Sequence, residues 1–200
     1  MKNLTIKVLL IATLVIPSMV QAQLKYTSVN YIVSMPLGDT KDFIEKTSFR
    51  GFGFETGQFI NESIAIGLGL GWNVLNEQVT GESIQSNNTT ISGKQFRYIN
   101  SFPIYINTSY YFSEEDAKFK IYGGLGVGTL FKNQRTEIGV LGLEDKQWHF
   151  ALYPHAGLLM ALGPDAHINL DFKYNQAFAA GGSDAVSYLA INFGLHYIFF

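Results

Sequence analysis

The 200-residue sequence contains no cysteine, which removes disulfide scaffolds, thiol catalysis, Cys-based zinc sites and a lipidated N-terminal cysteine together. Charge is also scarce. Asp, Glu, Lys and Arg make up 15% of the chain, against about 25% in an ordinary soluble domain, too few for a fully charged, water-facing shell. The formal charge of −2 leaves no basic excess to attract nucleic acid, so none is expected as a partner. After residue 22 no apolar run reaches the roughly 20 residues that a spanning helix needs, which excludes a helical membrane protein. What the chain does have is 47% hydrophobic residues, 20 Gly, 16 Phe and 11 Tyr. Strand-favouring aromatics paired with the one residue lacking a side chain point to β structure and exclude disorder.

The first 22 residues read as a cleavable export signal. Lys2 and Lys7 precede an apolar run from Val8 to Ile16, followed by Pro17, Ser18 and a small-residue end at Val20-Gln21-Ala22. Nine apolar residues are too few for a membrane anchor. Residues 1–22 are therefore assigned to the signal and 23–200 to one domain, which keeps 12 basic and 16 acidic side chains and a charge of −4.

Within that domain the dominant signal is alternation. Ile64, Ile66, Leu68, Leu70, Trp72 and Val74 alternate with Ala65, Gly67, Gly69, Gly71 and Asn73, the period of a strand with two unlike faces. Ile168 to Tyr174 and Leu189 to Phe199 repeat the pattern, again with a polar or small second face. The whole chain resolves into eight strands near 24–37, 49–60, 63–75, 96–112, 118–132, 147–162, 166–178 and 185–200. Their connections differ in kind. Asn61–Ser63, Ser113–Ala117 and Gly163–Ala166 are short and share one end, while Gly38–Ser48, Asn76–Gln95 and Asn133–Lys146 are long and share the other. An all-β, eight-stranded antiparallel up-and-down barrel with tight turns at one end and large loops at the other is the transmembrane barrel pattern.

Charge placement decides which face meets which solvent. Fourteen of the 16 acidic residues fall in connections, and the two within strands, Glu55 and Asp171, sit on the small-residue face. Arg97, Lys120 and Lys173 share that face. A soluble barrel would do the reverse, keeping its interior apolar and its exterior charged. Charge inside and an apolar belt outside suit hydrocarbon, where a Lys or Arg at the midplane costs about 2 to 4 kcal/mol. Trp72, Phe96, Tyr98, Phe131 and Trp148 are expected to form one aromatic girdle at the loop end. Tyr110, Phe112, Phe119, Tyr197 and Phe199 are expected to form the other at the turn end.

The last strand, Asn192-Phe193-Gly194-Leu195-His196-Tyr197-Ile198-Phe199, resembles the C-terminal assembly signal of outer-membrane barrels. Its Asn192, Gly194, Tyr197 and Phe199 match the polar, glycine and hydrophobic positions, and Phe200 runs one residue past the outward-facing end. With the leader and eight strands, the chain resembles the small outer-membrane β-barrels of Gram-negative bacteria, the OmpA/OmpX type. Met35-Pro36-Leu37-Gly38-Asp39 and Phe49-Arg50-Gly51-Phe52-Gly53-Phe54-Glu55 are similar to the first hairpin of that family. The resemblance implies recognition by the barrel assembly machinery, outer-membrane lipids as surroundings, and loops that take any extracellular ligand.

A barrel of eight strands is filled by its own side chains, so an open pore is not expected. Glu55, Arg97, Lys120, Asp171 and Lys173 are expected to pair as an internal charge network, because buried charge persists only when paired. His149, His155, His167 and His196 have inward parity, with His167 opposite His196, but no third ligand stands near them, so no metal or other cofactor is expected. His149-Phe150-Ala151 and His155-Ala156-Gly157 lack the His-x-Ser pair of barrel lipid deacylases, and no nucleophile is expected beside a base. Asn87-Asn88-Thr89-Thr90 reads as a polar loop. The expected function is therefore a non-enzymatic outer-membrane barrel, structural or binding through its loops. A secreted lipocalin-like carrier, with Gly71-Trp72 early in its chain, and an outer-membrane lipid-modifying enzyme are the alternatives.

Overall fold

The computed structural model describes residues 24–86, 89–113, 117–139 and 141–200. The expected leader and the Asn87-Asn88 pair lie outside the described residues. Eight antiparallel strands, β1 (Lys25–Leu37), β2 (Gly51–Phe59), β3 (Ile64–Ser86), β4 (Thr89–Tyr111), β5 (Phe119–Ile138), β6 (Leu141–Ala161), β7 (Ala166–Ala177) and β8 (Val186–Phe199), pair in sequence order. The sheet closes where β8 pairs with β1 from Lys25↔Phe199 to Leu37↔Ser187. Partners followed once around, from Tyr197 through Thr27, Thr56, Leu68, Ile106, Val127, Leu152 and Gln176, return to β8 at Ser187, ten residues away. That stagger over eight strands corresponds to a strand tilt of about 40°.

Two of the long connections are not loops. β3 and β4 continue past residues 75 and 96 to Ser86 and Thr89, and β5 and β6 meet near 139 through pairs such as Gln134↔Asp145. The alternation that marks the lower strands fades there because both faces of this part meet polar surroundings rather than one facing lipid, while backbone pairing persists. The first connection carries a short helix, α1 (Gly38–Phe43), which the alternation did not signal. Gly38 begins it with φ of 51°, a left-handed turn out of β1 that a side chain would strain.

Outward residues form the apolar belt. Leu68, Leu70, Ile106, Leu125, Phe172 and Leu195 are exposed, and among the described residues of the belt no charge interrupts them. Above them Trp72, Phe102, Phe131 and Trp148 stand in contact across adjacent strands, with ring centroids 6.1, 6.4 and 5.1 Å apart. Tyr110 and Phe112, 4.9 Å apart, mark the lower edge with Phe119, Tyr197 and Phe199. Along β4, Phe102 and Tyr110 are separated by about 26 Å of strand, close to 20 Å in height, and Phe112 extends this toward the ~25 Å of a barrel's apolar band. Phe96 and Tyr98, expected in the upper girdle, instead stand beyond it on the projecting part of β4; Phe102 takes their place.

Proline usually argues against an interior strand, yet Pro103 and Pro154 lie within the wall. Each pairs normally on one side, Pro103↔Leu130 and Leu125↔Pro154. On the other side the ladder is interrupted, between Leu70↔Ile104 and Asn73↔Ser101 and between Leu152↔Gln176 and His155↔Lys173. The missing N–H thus weakens two seams without opening the barrel.

The belt predicts position-dependent costs. Leu68→Arg, Leu170→Arg and Leu195→Arg should each destabilise the barrel folded in lipid vesicles by about 2 to 4 kcal/mol, whereas Thr80→Arg on the projecting part should be near neutral. Equal, small effects at all four positions would show that the belt is not lipid-facing.

Candidate functional site in the lumen and at its mouth

Inward side chains fill the barrel in layers. At the turn end Tyr26, Phe59, Ala65, Tyr111, Tyr122, Leu159 and Ile198 form an apolar layer, with His196 stacked on Tyr26 at 5.0 Å. Nearer the mouth Ile32, Tyr105, Leu130, Ala151, Tyr153, Tyr188 and their neighbours form a second. The glycines of the small-residue face explain how such large rings fit: Tyr26 lies against Gly67, Tyr153 against Gly126 and Tyr122 against Gly157. Small residues opposite large ones are how a narrow barrel is packed solid.

Between these layers lies a charged one, at the height of Leu68 in the belt. Lys173 forms an ion pair with Glu55, and its Nζ is 3.4 Å from Asp171 Oδ2. Asn107 donates to Glu55 Oε2 at 3.4 Å, and Asn192 donates to Asp171 Oδ2 at 3.1 Å. Lys173 Nζ also sits 4.9 Å above the Tyr153 ring. A cavity of about 30 Å³ adjoins Glu55 and Lys173, bounded by Asn73, Asn175 and Tyr188 among others. It is about large enough for a single water.

Ser109, His155 and Asp171 meet in the same layer. Ser109 Oγ is 3.4 Å from His155 Nε2, and His155 Nδ1 is 3.4 Å from Asp171 Oδ1. This corrects the expectation that no nucleophile stands beside a base: β4 and β6 are not adjacent, and their side chains meet over Gly124 of the strand between them. The order is that of a hydrolase triad, but all three residues are buried, both contacts are long, and the cavity is bounded by neither Ser109 nor His155. The group is packed between tyrosine layers above and below, and His155 Nδ1 and Asp171 Oδ1 make no hydrogen bond.

Of the five charged residues expected together, the structure gathers Glu55, Asp171 and Lys173. Arg97 is elsewhere. It pairs in register with Glu77, whereas Glu55 pairs with Gly69, eight residues lower on β3 and so about 26 Å away along the strand. Lys120 lies beside Leu159, which pairs with Asn169, at the level of the lower tyrosine layer. Parity fixes the face a residue occupies but not its height. The histidines are all buried. His167 pairs with His196 with rings 6.4 Å apart, and His149 donates from Nδ1 to the Phe178 carbonyl at 2.8 Å. Among the described residues no three His, Asp or Glu side chains are grouped as metal ligands.

The four residues of the C-terminal motif divide between two faces. Asn192 is buried against Asp171, and Gly194 lies at the β8–β1 seam, where a Cβ would collide with the Val29 carbonyl oxygen and Asn30. Tyr197 and Phe199 point outward, 47% and 42% exposed, and Phe200 is free of the sheet.

The mouth is covered by the first connection. Ile44, fully buried, packs with Leu75, Ile99 and Phe43, while Arg97 donates to the Phe43 carbonyl at 3.2 Å and lies 5.3 Å from the centre of its ring. Thr40 Oγ1 accepts the Ser187 N–H at 2.8 Å, and a Ser34↔Ser48 bridge closes the far side. The last connection is tied down too. Asp145 accepts from Ser183 and from buried Lys132, 3.3 Å away, and the Ser183 hydroxyl beside it, with Lys132, holds its carboxyl below the usual carboxylate range.

Comparison with known proteins follows this geometry. The outer membrane protein beta-barrel domain family matches residues 8–199. No curated protein sequence matches significantly. Solved structures similar in fold include Ail, the attachment invasion locus protein of Yersinia pestis, at 14% identity, covering 90% of this chain and 100% of that one, with a TM-score of 0.55. OprG from Pseudomonas aeruginosa is 16% identical, with 90% and 97% covered and a TM-score of 0.53. Neisserial surface protein A is 13% identical, with 90% and 98% covered and a TM-score of 0.51.

The charged layer predicts coupling. Glu55→Gln and Lys173→Met should each destabilise the barrel by about 3 to 5 kcal/mol, and the double variant by clearly less than their sum. Reversible urea unfolding of the four proteins in vesicles measures this. Additive losses would mean that the two side chains act independently.

Proposed function

The chain belongs to the outer membrane protein beta-barrel domain family, and on that premise we propose that it is a non-enzymatic surface protein whose sealed barrel holds a binding platform outside the cell. Its place is the outer membrane, reached through the leader at 1–22. The observation carrying this reading is the height of β3 to β6. β4 continues 13 residues from Phe102 to Thr89, which is about 43 Å of strand and about 30 Å of height at the observed tilt. Pairing joins β3 to β4, β4 to β5 as far as Gln95↔Ile138, and β5 to β6, so the projection is a sheet rather than two loose loops. The layered lumen and its cover oppose a channel, and the inward charges oppose a lipocalin-like carrier.

Ail has been solved with the heparin analogue sucrose octasulfate, a polyanion. Here two basic groups of the projection sit beside acids, Arg135 Nε 2.8 Å from Glu137 and Lys146 2.9 Å from Glu144, and exposed Lys94 is a single further cation rather than a cluster. Attachment through uncharged or mixed surfaces therefore fits better than capture of sulfated glycans. Cells displaying the full chain should adhere to host-cell or abiotic surfaces more than cells displaying a variant in which residues 77–97 are replaced by Asn-Gly. Heat-modifiable migration checks that the shortened barrel still folds. Equal adherence with both folded would remove the binding role from the projection.

Insertion is assigned to the barrel assembly machinery acting on β8, with outer-membrane lipids around the belt. The outward placement of Tyr197 and Phe199 supports this. Tyr197→Ala and Phe199→Ala should lower the folded yield in cells, and deletion of Phe200 should not. The opposite result would move the recognition register by one residue.

A further inference from the structure

The outward face of the projecting sheet carries two aromatic side chains that the barrel does not need. Phe96 is 38% exposed, and Tyr98 is half-buried beside it on β4. Register places Gln78 and Glu137 on either side of Phe96, and Asn76 and Arg135 on either side of Tyr98. Arg135 is bound to Glu137, so their charges cancel within the patch, and Lys94, exposed two residues from Phe96 on the same face of β4, adds a single cation beside the aromatic faces and amides.

Its height limits what can cover it. Phe96 lies six residues past Phe102, about 20 Å along the strand and about 14 Å above the girdle. The headgroup region of a phospholipid leaflet is only about 5 to 8 Å deep. A phospholipid therefore ends below Phe96. Among the lipids that surround an outer-membrane barrel, only one whose headgroup is an oligosaccharide reaches the patch. The surface is continuous with the apolar belt, so a lipid anchored against Phe102 and Ile104 would lay its sugars directly on Tyr98 and Phe96.

We propose that this face binds the core saccharide of an outer-leaflet glycolipid. Aromatic rings offer flat, amphipathic faces to the C–H side of a pyranose. Each amide supplies two donors and an acceptor with two lone pairs, matching adjacent sugar hydroxyls. Because Arg135 is engaged by Glu137, hydroxyl and ring contacts lead recognition, with Lys94 beside Phe96 placed to meet a charged group at the edge of the saccharide. The inference adds a lipid partner to the surface reading and requires only the membrane placement, not adhesion.

The test uses the mature protein in phosphatidylcholine vesicles doped with a fluorescent glycolipid that carries core oligosaccharide, or with the same lipid stripped to its acylated disaccharide. Energy transfer from Trp72 and Trp148 reports enrichment around the barrel. The core-bearing lipid should be preferred by about tenfold, and Phe96→Ser/Tyr98→Ser should bring the two lipids to near equality. Asn76→Ala/Gln78→Ala keeps the rings and removes the amides beside them, and it should weaken the preference as well. Heat-modifiable migration confirms folding of each variant. Equal enrichment of both lipids by the parent would assign recognition to acyl chains or phosphate and overturn the proposal. So would a preference that survives both double variants, or self-association of the parent that Phe96→Ser/Tyr98→Ser abolishes.

Discussion

Everything else in this molecule depends on one seam. In hydrocarbon no water replaces a missing backbone partner, so a sheet is admissible only if it has no edge. β1 and β8, at opposite ends of the chain, supply the closure along the full length of β1. Gly194 lies on that seam because the β1 backbone passes where a side chain would be, and Asn192, two residues earlier, ties the same strand to Asp171. The C-terminal strand thus serves closure through its inward residues and exposes its aromatic residues outward. Those two demands explain why a short terminal motif contains both a glycine and spaced aromatics.

Closure at a stagger of ten residues also fixes how narrow the interior is, and the composition follows from that. An inward tyrosine fits such a lumen by lying over a glycine of a nearby strand, Tyr153 over Gly126, Tyr122 over Gly157 and Tyr26 over Gly67. The polar layer survives at the midplane because it is sealed from both sides. Lys173 faces two carboxylates; Asn107 donates to the second oxygen of Glu55, and Asn192 shares Asp171 Oδ2 with Lys173, leaving Asp171 Oδ1 beside His155 Nδ1 without a hydrogen bond. Removing water strengthens each of these contacts and raises the cost of any left unpaired. The Ser-His-Asp alignment in this setting is enclosed by aromatic rings, with Tyr122 and Tyr153 both edge-on to His155.

Sequence pattern alone was sufficient for the faces of the strands and poor for heights. Alternation located eight strands, put Glu55 and Asp171 inside, and set His167 opposite His196, because each of these depends only on residue parity. Arg97 and Lys120 share that parity yet sit near opposite ends, since height depends on the stagger, a property of all eight registers at once. The upper halves of β3 to β6 were illegible for a different reason. Alternation is imposed by unlike solvents on the two faces, and where both faces meet polar surroundings the strand leaves no periodic trace. Tyr105, Tyr153 and Tyr188 were missed as lumen residues although they share parity with Asn107, His155 and Asn192, because an aromatic in a membrane barrel is first read as lipid-facing.

The asymmetry of the mouth separates the barrel's tasks. β1, β2, β7 and β8 end close to the membrane, and the connections between them are spent on sealing, through Ile44, Thr40 and Ser183. β3 to β6 rise past them, with the β3 edge partly covered by the first connection through the Glu45 N–H to Glu77 contact at 2.7 Å. Hydrogen-bonded pairing along β3 to β6 holds the projection in a preformed shape, so a partner meeting it would bear little of the ordering entropy that a loop demands on binding. Rigid pairing also removes the need for an apolar core above the membrane, which leaves both faces free to vary in polarity. The aromatic pair Phe96 and Tyr98 stands out against that background because nothing in the barrel below requires it.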